Sequence, residues 1–406
     1  MEGKISYTSR VFDSYEKRFC KARENKVLRN PSDIKDKEEI KSDAKKMLRL
    51  DKIPTPKIEI INSSDEIIDG VTLRTVQFSS WDSCYGEATL FLPSEDKPLP
   101  TVMVCPGHAK EGRFAASYQT LAFALAKSGA AVLLADNLGQ GSREKFGHTE
   151  AFAPHALGLS LQGIMVRESH AWINWFSEQP FCDKKRIGVC GNSGGGTLTL
   201  FISATTPQIS AAACCGYSSD FSYIHQKEKK HCPCNLLPSC ASSADLWEIL
   251  SIFAPKPLLL NGGKYDQMFP ADLFSRNARK IRAVYKSLGA ENAFRMAMTE
   301  AKHSLEACDC EAIVNFFAEH FGLSKYDSSN FTPQKRGCRF EYPEGAITTN
   351  QLAEKISGKT YTGTALYEVF IPTVDSVPVD SNLLDEELFT VNPMQILAQM
   401  EMALLK

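Results

Sequence analysis

The pattern of hydrophobic and polar positions changes twice along the chain. Up to about residue 55 charged residues dominate, and the run KDKEEIKSDAKKMLRL has the apolar spacing of a helix. Three short segments of strand composition follow, KIEIINS, VTLRTVQFSS and CYGEATLFLP, with turn residues between them. From residue 100 onward, nearly continuous apolar runs alternate with longer helical patterns. The sequence therefore predicts N-terminal helices, an antiparallel opening to a sheet, and then repeated strand–helix units.

The repeated units predict an α/β fold with a mostly parallel central sheet flanked by helices. Continuous apolar runs are typical of strands buried on both faces, and strand–helix alternation implies a parallel sheet covered on both sides. The predicted strands cover 101–107, 130–136, 186–193, 210–217, 257–263 and 293–301. The predicted helices cover 118–129, 159–176, 194–204, 271–288 and 309–321.

The alternation is interrupted once within this region. Between Tyr217 and Pro255 a polar, cysteine-containing stretch replaces the next helix. An insertion of this size at the carboxyl ends of the strands predicts a cap over an active site, at about residues 218–254. The sequence therefore divides the chain into an N-terminal helical segment 1–56, an α/β core 57–325 and a C-terminal extension 326–406.

The C-terminal extension has a different pattern of predicted elements from the core. It contains one strand-like stretch, ALYEVFIP, and a terminal helix that is predicted to start at Asn392–Pro393, with Asn as N-cap and Pro at the first helical position. The apolar residues of that helix form one stripe, Leu397, Met400 and Leu404. The stripe suits docking on the chain's own core or on a second subunit, so a homo-oligomer assembled through the extension is one hypothesis.

Composition and charge argue against some classes of function. The chain of 406 residues is 43% hydrophobic and 23% charged, as in ordinary globular proteins, and its net charge of −2 gives no reason to expect nucleic acid or an anionic membrane as a partner. No apolar run approaches the roughly 20 residues that span a bilayer. The first residues, MEGKISYTSRVFDSYEKRF, lack the apolar core of a signal peptide. We expect a cytoplasmic protein that acts on a small molecule.

Thirteen cysteines are interpreted as reduced thiols rather than as a disulfide framework. Two clusters raise the question of a metal, HCPCNLLPSC and CDC, and their members are His231, Cys232, Cys234, Cys240, Cys308 and Cys310. Because C-x-C is tighter than the C-x2-4-C spacing of structural zinc sites, we interpret both as structural or incidental thiols. The sequence analysis predicts no metal and no cofactor.

The stretch RIGVCGNSGGGTLTLF, residues 186–201, carries the strongest candidate chemistry. It is not a phosphate-binding P-loop, because no lysine follows Gly196 in the turn, and Ser193 stands where a dinucleotide fingerprint needs its second glycine. What fits is G-x-S-x-G between a predicted strand and a predicted helix. We predict that Ser193 is a nucleophile on a strained turn, with small residues two before and two after it so that neighbouring backbones can pass.

A serine nucleophile needs a base, and the base needs an orienting acid. Where a G-x-S-x-G serine opens the helix, the acid and then the histidine follow it in the chain. Asp266 lies just past the strand in PLLLNGGKYDQMFP, and His303 lies just past the next strand, in FRMAMTEAKHSLEACD. Glu300, the rival acid, is only three residues before the histidine. We predict Ser193, Asp266 and His303 as a catalytic triad.

Backbone N–H groups must also stabilise the oxyanion of the tetrahedral intermediate. Gly194, the residue after the nucleophile, supplies one. The loop PGHAKEG after the first parallel strand supplies the second at His108 or Ala109, and His108 is preferred because it directly follows the glycine at the strand end.

These motifs resemble the α/β-hydrolase superfamily, and within it the acetyl-xylan-esterase-like and dienelactone-hydrolase-like branch. The resemblance covers roughly residues 70–322 and is carried by CPGHAKEG, ADNLGQGSREKFG, RIGVCGNSGGGTLTL and APKPLLLNGGKYDQMFP. It implies the same triad and the same two oxyanion donors. The chain departs from the branch at Ser142, where GQGER is common, and at Lys302, where the branch often has glycine.

The expected function is a serine hydrolase that cleaves a short-acyl or acetyl ester of a small soluble substrate through an acyl-serine. The same triad could instead cleave an amide or a C–C bond beside a carbonyl. A non-catalytic binding protein is a third hypothesis, and the complete set of triad residues speaks against it. A zinc-dependent hydrolase built on the cysteine cluster is a fourth.

Overall fold

The computed structural model describes residues 19–24, 26, 29–34, 37–95, 97–149, 151–225, 232–326 and 337–362. Within these residues the chain builds one sheet of nine strands. The strands are β1 (Glu59–Ile68), β2 (Val71–Ser79), β3 (Tyr85–Pro93), β4 (Leu99–Cys105), β5 (Ala131–Ala135), β6 (Cys182–Asn192), β7 (Ile209–Cys215), β8 (Leu258–Gly263) and β9 (Phe294–Thr299).

The sheet has an antiparallel part and a parallel part, as predicted. Its strand order is β1-β2-β3-β5-β4-β6-β7-β8-β9. The first three strands form an antiparallel meander that joins β5 in antiparallel register. All neighbours from β5 to β9 are parallel. The loops after these parallel strands therefore all emerge at one edge, where an active site belongs in such sheets.

Helices pack on both faces of the sheet. They are α1 (Glu38–Met47), α2 (Ala116–Lys127), α3 (Ala153–Ala156), α4 (Leu161–Glu178), α5 (Gly194–Thr205), α6 (Phe221–Ile224), α7 (Leu246–Ser251), α8 (Ala271–Ser287), α9 (Ala307–Phe321) and α10 (Thr349–Ser357). The helix predicted over 159–176 starts two residues later because the Ser160 hydroxyl caps it by accepting the Gly163 N–H.

Alternate residues of the central strands belong to two separate apolar cores, one on each face of the sheet. In β4, Met103 and Cys105 pack on one face, together with helices that include α1, α4, α5 and α8. Val102 and Val104 pack on the other face, under α2 and α9. This two-sided burial explains why the parallel strands read as continuous apolar runs.

The insertion after β7 holds α6, α7 and a 3-10 turn at Pro233–Asn235. The strand-like ALYEVFIP and the helix predicted from Asn392–Pro393 lie outside the described residues. The division into segment, core, cap and extension stays a prediction. None of the helices in the described part of the chain is long and apolar enough to cross a membrane.

A buried ionic network fixes the loop after β4. Arg113, fully buried in that loop, donates to Glu87 of β3 at 2.5 Å and to Asp136 after β5 at 2.6 Å. Its backbone N–H also donates to Asp136, at 2.6 Å. The same guanidinium donates to the Cys338 carbonyl, and Glu87 accepts the Phe340 N–H at 2.9 Å, so the network ties residues 337–340 to the core.

His155 is a buried, uncharged histidine that links α3 to the insertion. Its Nε2–H donates to the Leu236 carbonyl at 2.9 Å. Burial lowers the pKa of His155 to about 4, although the carbonyl contacts act in the opposite direction. Protonation therefore favours the unfolded chain, where histidine has its ordinary pKa near 6.5.

We expect His155 to make the fold less stable as the pH falls from about 6.5 towards 4. Since the unfolded chain binds a proton that the folded chain does not, about 2 kcal/mol of the free energy of unfolding should disappear between pH 7.5 and 5. His155→Gln keeps a donor for the Leu236 carbonyl and does not titrate. In urea unfolding, the free energy of unfolding should fall less between pH 7.5 and 5 in this variant than in wild type. Equal decreases would contradict the assignment.

We expect Arg113→Met to lower the free energy of unfolding by about 3–5 kcal/mol, because it leaves two buried carboxylates without their positively charged partner. Arg295→Met is the matched control. Arg295 pairs with Glu319 on the surface, where both side chains are about half exposed, and removing such a pair costs about 0–1 kcal/mol. Urea denaturation of the two variants and wild type measures the difference. Equal costs would show that the buried network does not hold the loop.

Candidate active site

Ser193 lies at the junction of β6 and α5, in a backbone conformation that is uncommon for a residue with a side chain. Its φ is 58° and its ψ is −122°. The Ser193 N–H donates to the Cys215 carbonyl of β7 at 3.0 Å, and its own carbonyl accepts the Thr197 N–H at 3.0 Å. These bonds hold the turn, and the Ser193 side chain remains partly exposed at the carboxyl edge of the sheet.

The two glycines that flank the serine are required by close backbone contacts. A Cβ at Gly195 would lie 1.9 Å from the Cys105 carbonyl oxygen, at the end of β4. A Cβ at Gly191 would lie 2.5 Å from that same oxygen and 2.5 Å from the Gly195 carbonyl oxygen. The predicted reason for the G-x-S-x-G spacing, crossing backbones, is what the structure contains.

The three predicted triad residues meet in hydrogen-bonding order. His303 Nε2 lies 2.9 Å from Ser193 Oγ, and His303 Nδ1 lies 2.8 Å from Asp266 Oδ2. Asp266 follows β8 and His303 follows β9, so adjacent parallel strands deliver both groups to the edge where Ser193 lies. A carboxylate can only accept, so Nδ1 carries the proton and Nε2 faces the serine as an acceptor.

Asp266 is buried and held by its own turn. Its Oδ1 accepts the backbone N–H groups of Met268 and Phe269, at 2.8 and 2.9 Å, which leaves Oδ2 for the histidine. The rival acid, Glu300, is exposed and pairs with Lys264 at 2.9 Å. The carboxylate that orients His303 is therefore that of Asp266.

Two backbone N–H groups beside Ser193 are available for an oxyanion. In the loop after β4, the Gly107 N–H donates to the Tyr118 hydroxyl at 2.6 Å, and the Ala109 N–H donates to the Gly107 carbonyl at 2.7 Å. The N–H groups of His108 and Gly194 have no acceptor among the residues that the structure describes. The two residues are also adjacent, since a Cβ on Gly194 would lie 2.5 Å from the His108 ring.

Aromatic side chains line the other side of the histidine. The Phe269 ring centroid lies 5.5 Å from that of His303. Tyr217 meets Phe269 edge to face and Tyr223 meets it at a tilt, with centroid distances of 5.2 and 6.4 Å. Tyr223 comes from the insertion after β7, and Tyr217 stands at its start. These rings form an apolar wall that suits a flat or apolar part of a substrate.

At the sequence departure in GQGSR, Ser142 donates through its N–H and its hydroxyl to Asp136, at 3.1 and 2.7 Å. A glutamate there would bring a second carboxylate against Asp136, which already balances Arg113. The next residue, Arg143, is buried and pairs with Glu168 at 2.7 Å. This segment is therefore structural.

One residue beside the site was not predicted from the sequence. His148, after β5, brings its Nε2 to 3.1 Å from His108 Nε2, and Cys232 and Cys234 lie against the same two rings. The signal that could have found it is topological, since each of these residues follows the carboxyl end of a parallel strand. Of the other cluster members considered from sequence, His231 lies outside the described residues. The remaining three are free thiols elsewhere in the fold, Cys240, Cys308 and Cys310.

Comparison with known proteins agrees with this architecture. The family model for acetyl xylan esterase (AXE1) matches residues 44–234, just under half of the chain. That range includes Ser193, His108 and Gly194 but stops before Asp266 and His303. A Bacillus subtilis (strain 168) protein described as putative hydrolase YtaP is 26% identical over 182 residues, 44% of this chain. The matched stretch spans 61% of that relative, less than two thirds of its length.

Solved structures extend the likeness of fold beyond that range. Methylesterase BT1017 superposes with a TM-score of 0.62 at 20% identity, over 93% of this chain and 80% of its own. Acetyl xylan esterase 1 from Thermoanaerobacterium sp. JW/SL YS485 superposes with a TM-score of 0.51 at 17% identity, over 74% of this chain and 97% of its own. The chain therefore has the α/β-hydrolase fold, and over residues 44–234 its sequence is similar to the acetyl xylan esterase family.

Proposed function

We propose that the protein is a serine hydrolase that cleaves a carboxylic ester through an acyl-serine intermediate. The observation that carries the proposal is the continuous hydrogen-bonded chain from Ser193 Oγ through His303 to Asp266. Its serine occupies a positive-φ turn directly beside two available N–H groups. The acetyl xylan esterase family match and the likeness to solved esterases support a carboxylic ester hydrolase.

In this mechanism His303 Nε2 takes the proton of Ser193 Oγ as the oxygen attacks the ester carbonyl carbon. The negative charge that forms on the carbonyl oxygen is stabilised by the N–H groups of Gly194 and His108. The protonated imidazole then gives its proton to the departing alkoxide, and an acyl-serine remains. A water molecule repeats the sequence, so that the acid is released and Ser193 is restored. Asp266 holds the imidazole tautomer throughout.

The substrate that we propose is a short-acyl or acetyl ester of a small soluble molecule. The family match supports the acetyl group, and the aromatic wall around Phe269 supports a ring or apolar group beside the histidine. The methylesterase likeness favours a second ester class, a methyl ester of a larger acid. The two classes release different products, acetate or methanol, so product analysis separates them.

We expect Ser193→Ala and His303→Ala each to abolish labelling by a fluorophosphonate probe and hydrolysis of p-nitrophenyl acetate. The first removes the nucleophile, and the second removes the base that activates it. Intact-protein mass spectrometry after probe treatment is the measurement. Ser222→Ala, an exposed serine, and His320→Ala, in α9, serve as controls and should label like wild type.

Absence of labelling in folded wild-type protein would overturn the proposal in favour of a non-catalytic binding protein. Labelling without release of acetate or methanol from ester panels would direct attention to amides or to C–C bonds beside a carbonyl. The same oxyanion donors serve all of these reactions, so the bond cleaved has to be identified from products.

We expect Asp266→Asn to lower kcat by about 10⁴-fold while leaving the fold intact. The side-chain oxygen of the asparagine would accept the N–H groups of Met268 and Phe269, so its NH2 group would face His303 Nδ1. That forces the proton onto Nε2, which then cannot accept the serine proton. Steady-state hydrolysis of p-nitrophenyl acetate measures the loss. Asp272→Asn, an exposed aspartate in α8, should retain wild-type kcat, and equal effects of the two changes would contradict the role of Asp266.

A further inference from the structure

Four side chains with metal-ligating atoms meet beside the nucleophile turn. They are His108, His148, Cys232 and Cys234, and one ligand atom from each lies within 4.8 Å of all the others. In the described part of the chain this is the one group of three or more His, Cys, Asp or Glu residues with that property. The residues come from the loops after β4 and β5 and from the insertion after β7. Three separate segments of chain therefore converge on one point.

The ligand atoms lie about as close together as in a tetrahedral zinc site, or somewhat closer. With Zn–N near 2.0–2.1 Å and Zn–S near 2.3 Å, tetrahedral geometry sets N···N at about 3.3 Å and N···S at about 3.6 Å. The two Nε2 atoms are 3.1 Å apart, and Cys232 Sγ lies 3.2 and 3.0 Å from the Nε2 atoms of His108 and His148. Cys234 Sγ lies 3.5 Å from His108 Nε2. All four separations are at or below the tetrahedral values, so a small outward movement of the Cys232 Sγ atom would make room for one central ion.

The tautomer of His148 is set for metal binding. Its Nδ1 lies 2.8 Å from the Leu138 carbonyl oxygen, which can only accept, so Nδ1 carries the proton. The lone pair of Nε2 therefore points at the other ligand atoms. Donation of the second ring N–H to a backbone carbonyl is the usual outer-shell arrangement of a metal-bound histidine. His148 and Cys234 are also buried, which keeps water from competing for the ion.

The cluster adjoins the oxyanion donors directly. The His108 ring contacts Gly194 on one side and supplies Nε2 to the cluster on the other. An ion bound there would fix the His108 loop to two other segments. Because all four positions would be filled by protein atoms, no site would remain open for a substrate or a water, as in structural zinc sites.

We infer that His108, His148, Cys232 and Cys234 bind one Zn²⁺ in a closed tetrahedral site that ties the insertion after β7 to the loop carrying His108. Metal binding does not depend on the proposed ester hydrolysis; only the positioning of the His108 N–H rests on it. The inference departs from the sequence interpretation, in which the cysteines are incidental. That interpretation judged C-x-C alone, whereas the histidine ligands lie in loops distant in the sequence.

Metal analysis of the full-length protein, expressed with zinc in the medium, tests the site. We expect about one zinc per chain in wild type, and a loss of at least about tenfold in Cys234→Ser and in His148→Ala, because each removes one of four ligands. The matched control is Cys308→Ser, an exposed thiol outside the cluster, which should keep the wild-type zinc content. Zinc-free wild type, or equal zinc in all variants, would overturn the inference.

A cobalt titration of the wild type tests the metal site even if the variants do not fold. Wild type stripped by a chelator and titrated with Co²⁺ should develop the visible bands and thiolate charge-transfer absorption of a tetrahedral site, saturating at about one ion per chain. Folded protein without these bands would contradict the site.

Fluorophosphonate labelling, followed before and after zinc removal, tests the effect on the His108 loop. Loss of one oxyanion donor costs about 10²–10³ in kcat, so labelling should slow at least tenfold on zinc removal and recover when zinc returns. Unchanged labelling would overturn the positioning role. Zinc binding without any labelling would instead refute the proposed hydrolase and leave the metal site standing.

Discussion

The contact on which the site depends is the close passage of the β4 backbone beneath the turn that carries Ser193. The Cys105 carbonyl oxygen fills the space that a side chain at Gly195 or Gly191 would need. The turn can exist only because both positions are glycine, and it presents Ser193 at the carboxyl edge of the sheet. The same passage brings the loop after β4 alongside Gly194, so the nucleophile and both candidate oxyanion donors follow from one steric arrangement.

Most of the fold, and the meeting of the three candidate triad residues, could be predicted because their determinants are local. Strands buried on both faces give unbroken apolar runs, and the glycines of the turn are read directly from G-x-S-x-G. Asp266 and His303 could be found because each follows a predicted parallel strand, and such strands end at a common edge. The small error at α4 has a local cause too, since the pattern includes apolar Leu159 whereas the helix starts only after the Ser160 cap.

Contacts between distant loops could not be predicted. The position of His148 against His108 depends on how two loops descend from neighbouring strands, and the approach of Cys232 depends on the path of an insertion. Neither path leaves a periodic pattern in the sequence. The choice between His108 and Ala109 as oxyanion donor likewise needed the backbone bond from Ala109 to Gly107, which the sequence does not encode visibly.

The buried network around Arg113 constrains how this chain can change over generations. Its three charged residues, Glu87, Arg113 and Asp136, come from separate parts of the chain, and the one guanidinium pairs with both carboxylates. A lineage that loses one of them passes through a destabilised intermediate, so the three positions are expected to be replaced as a set or not at all. Because the network also holds the backbone of residues 338 and 340, the position of that stretch depends on the same three residues.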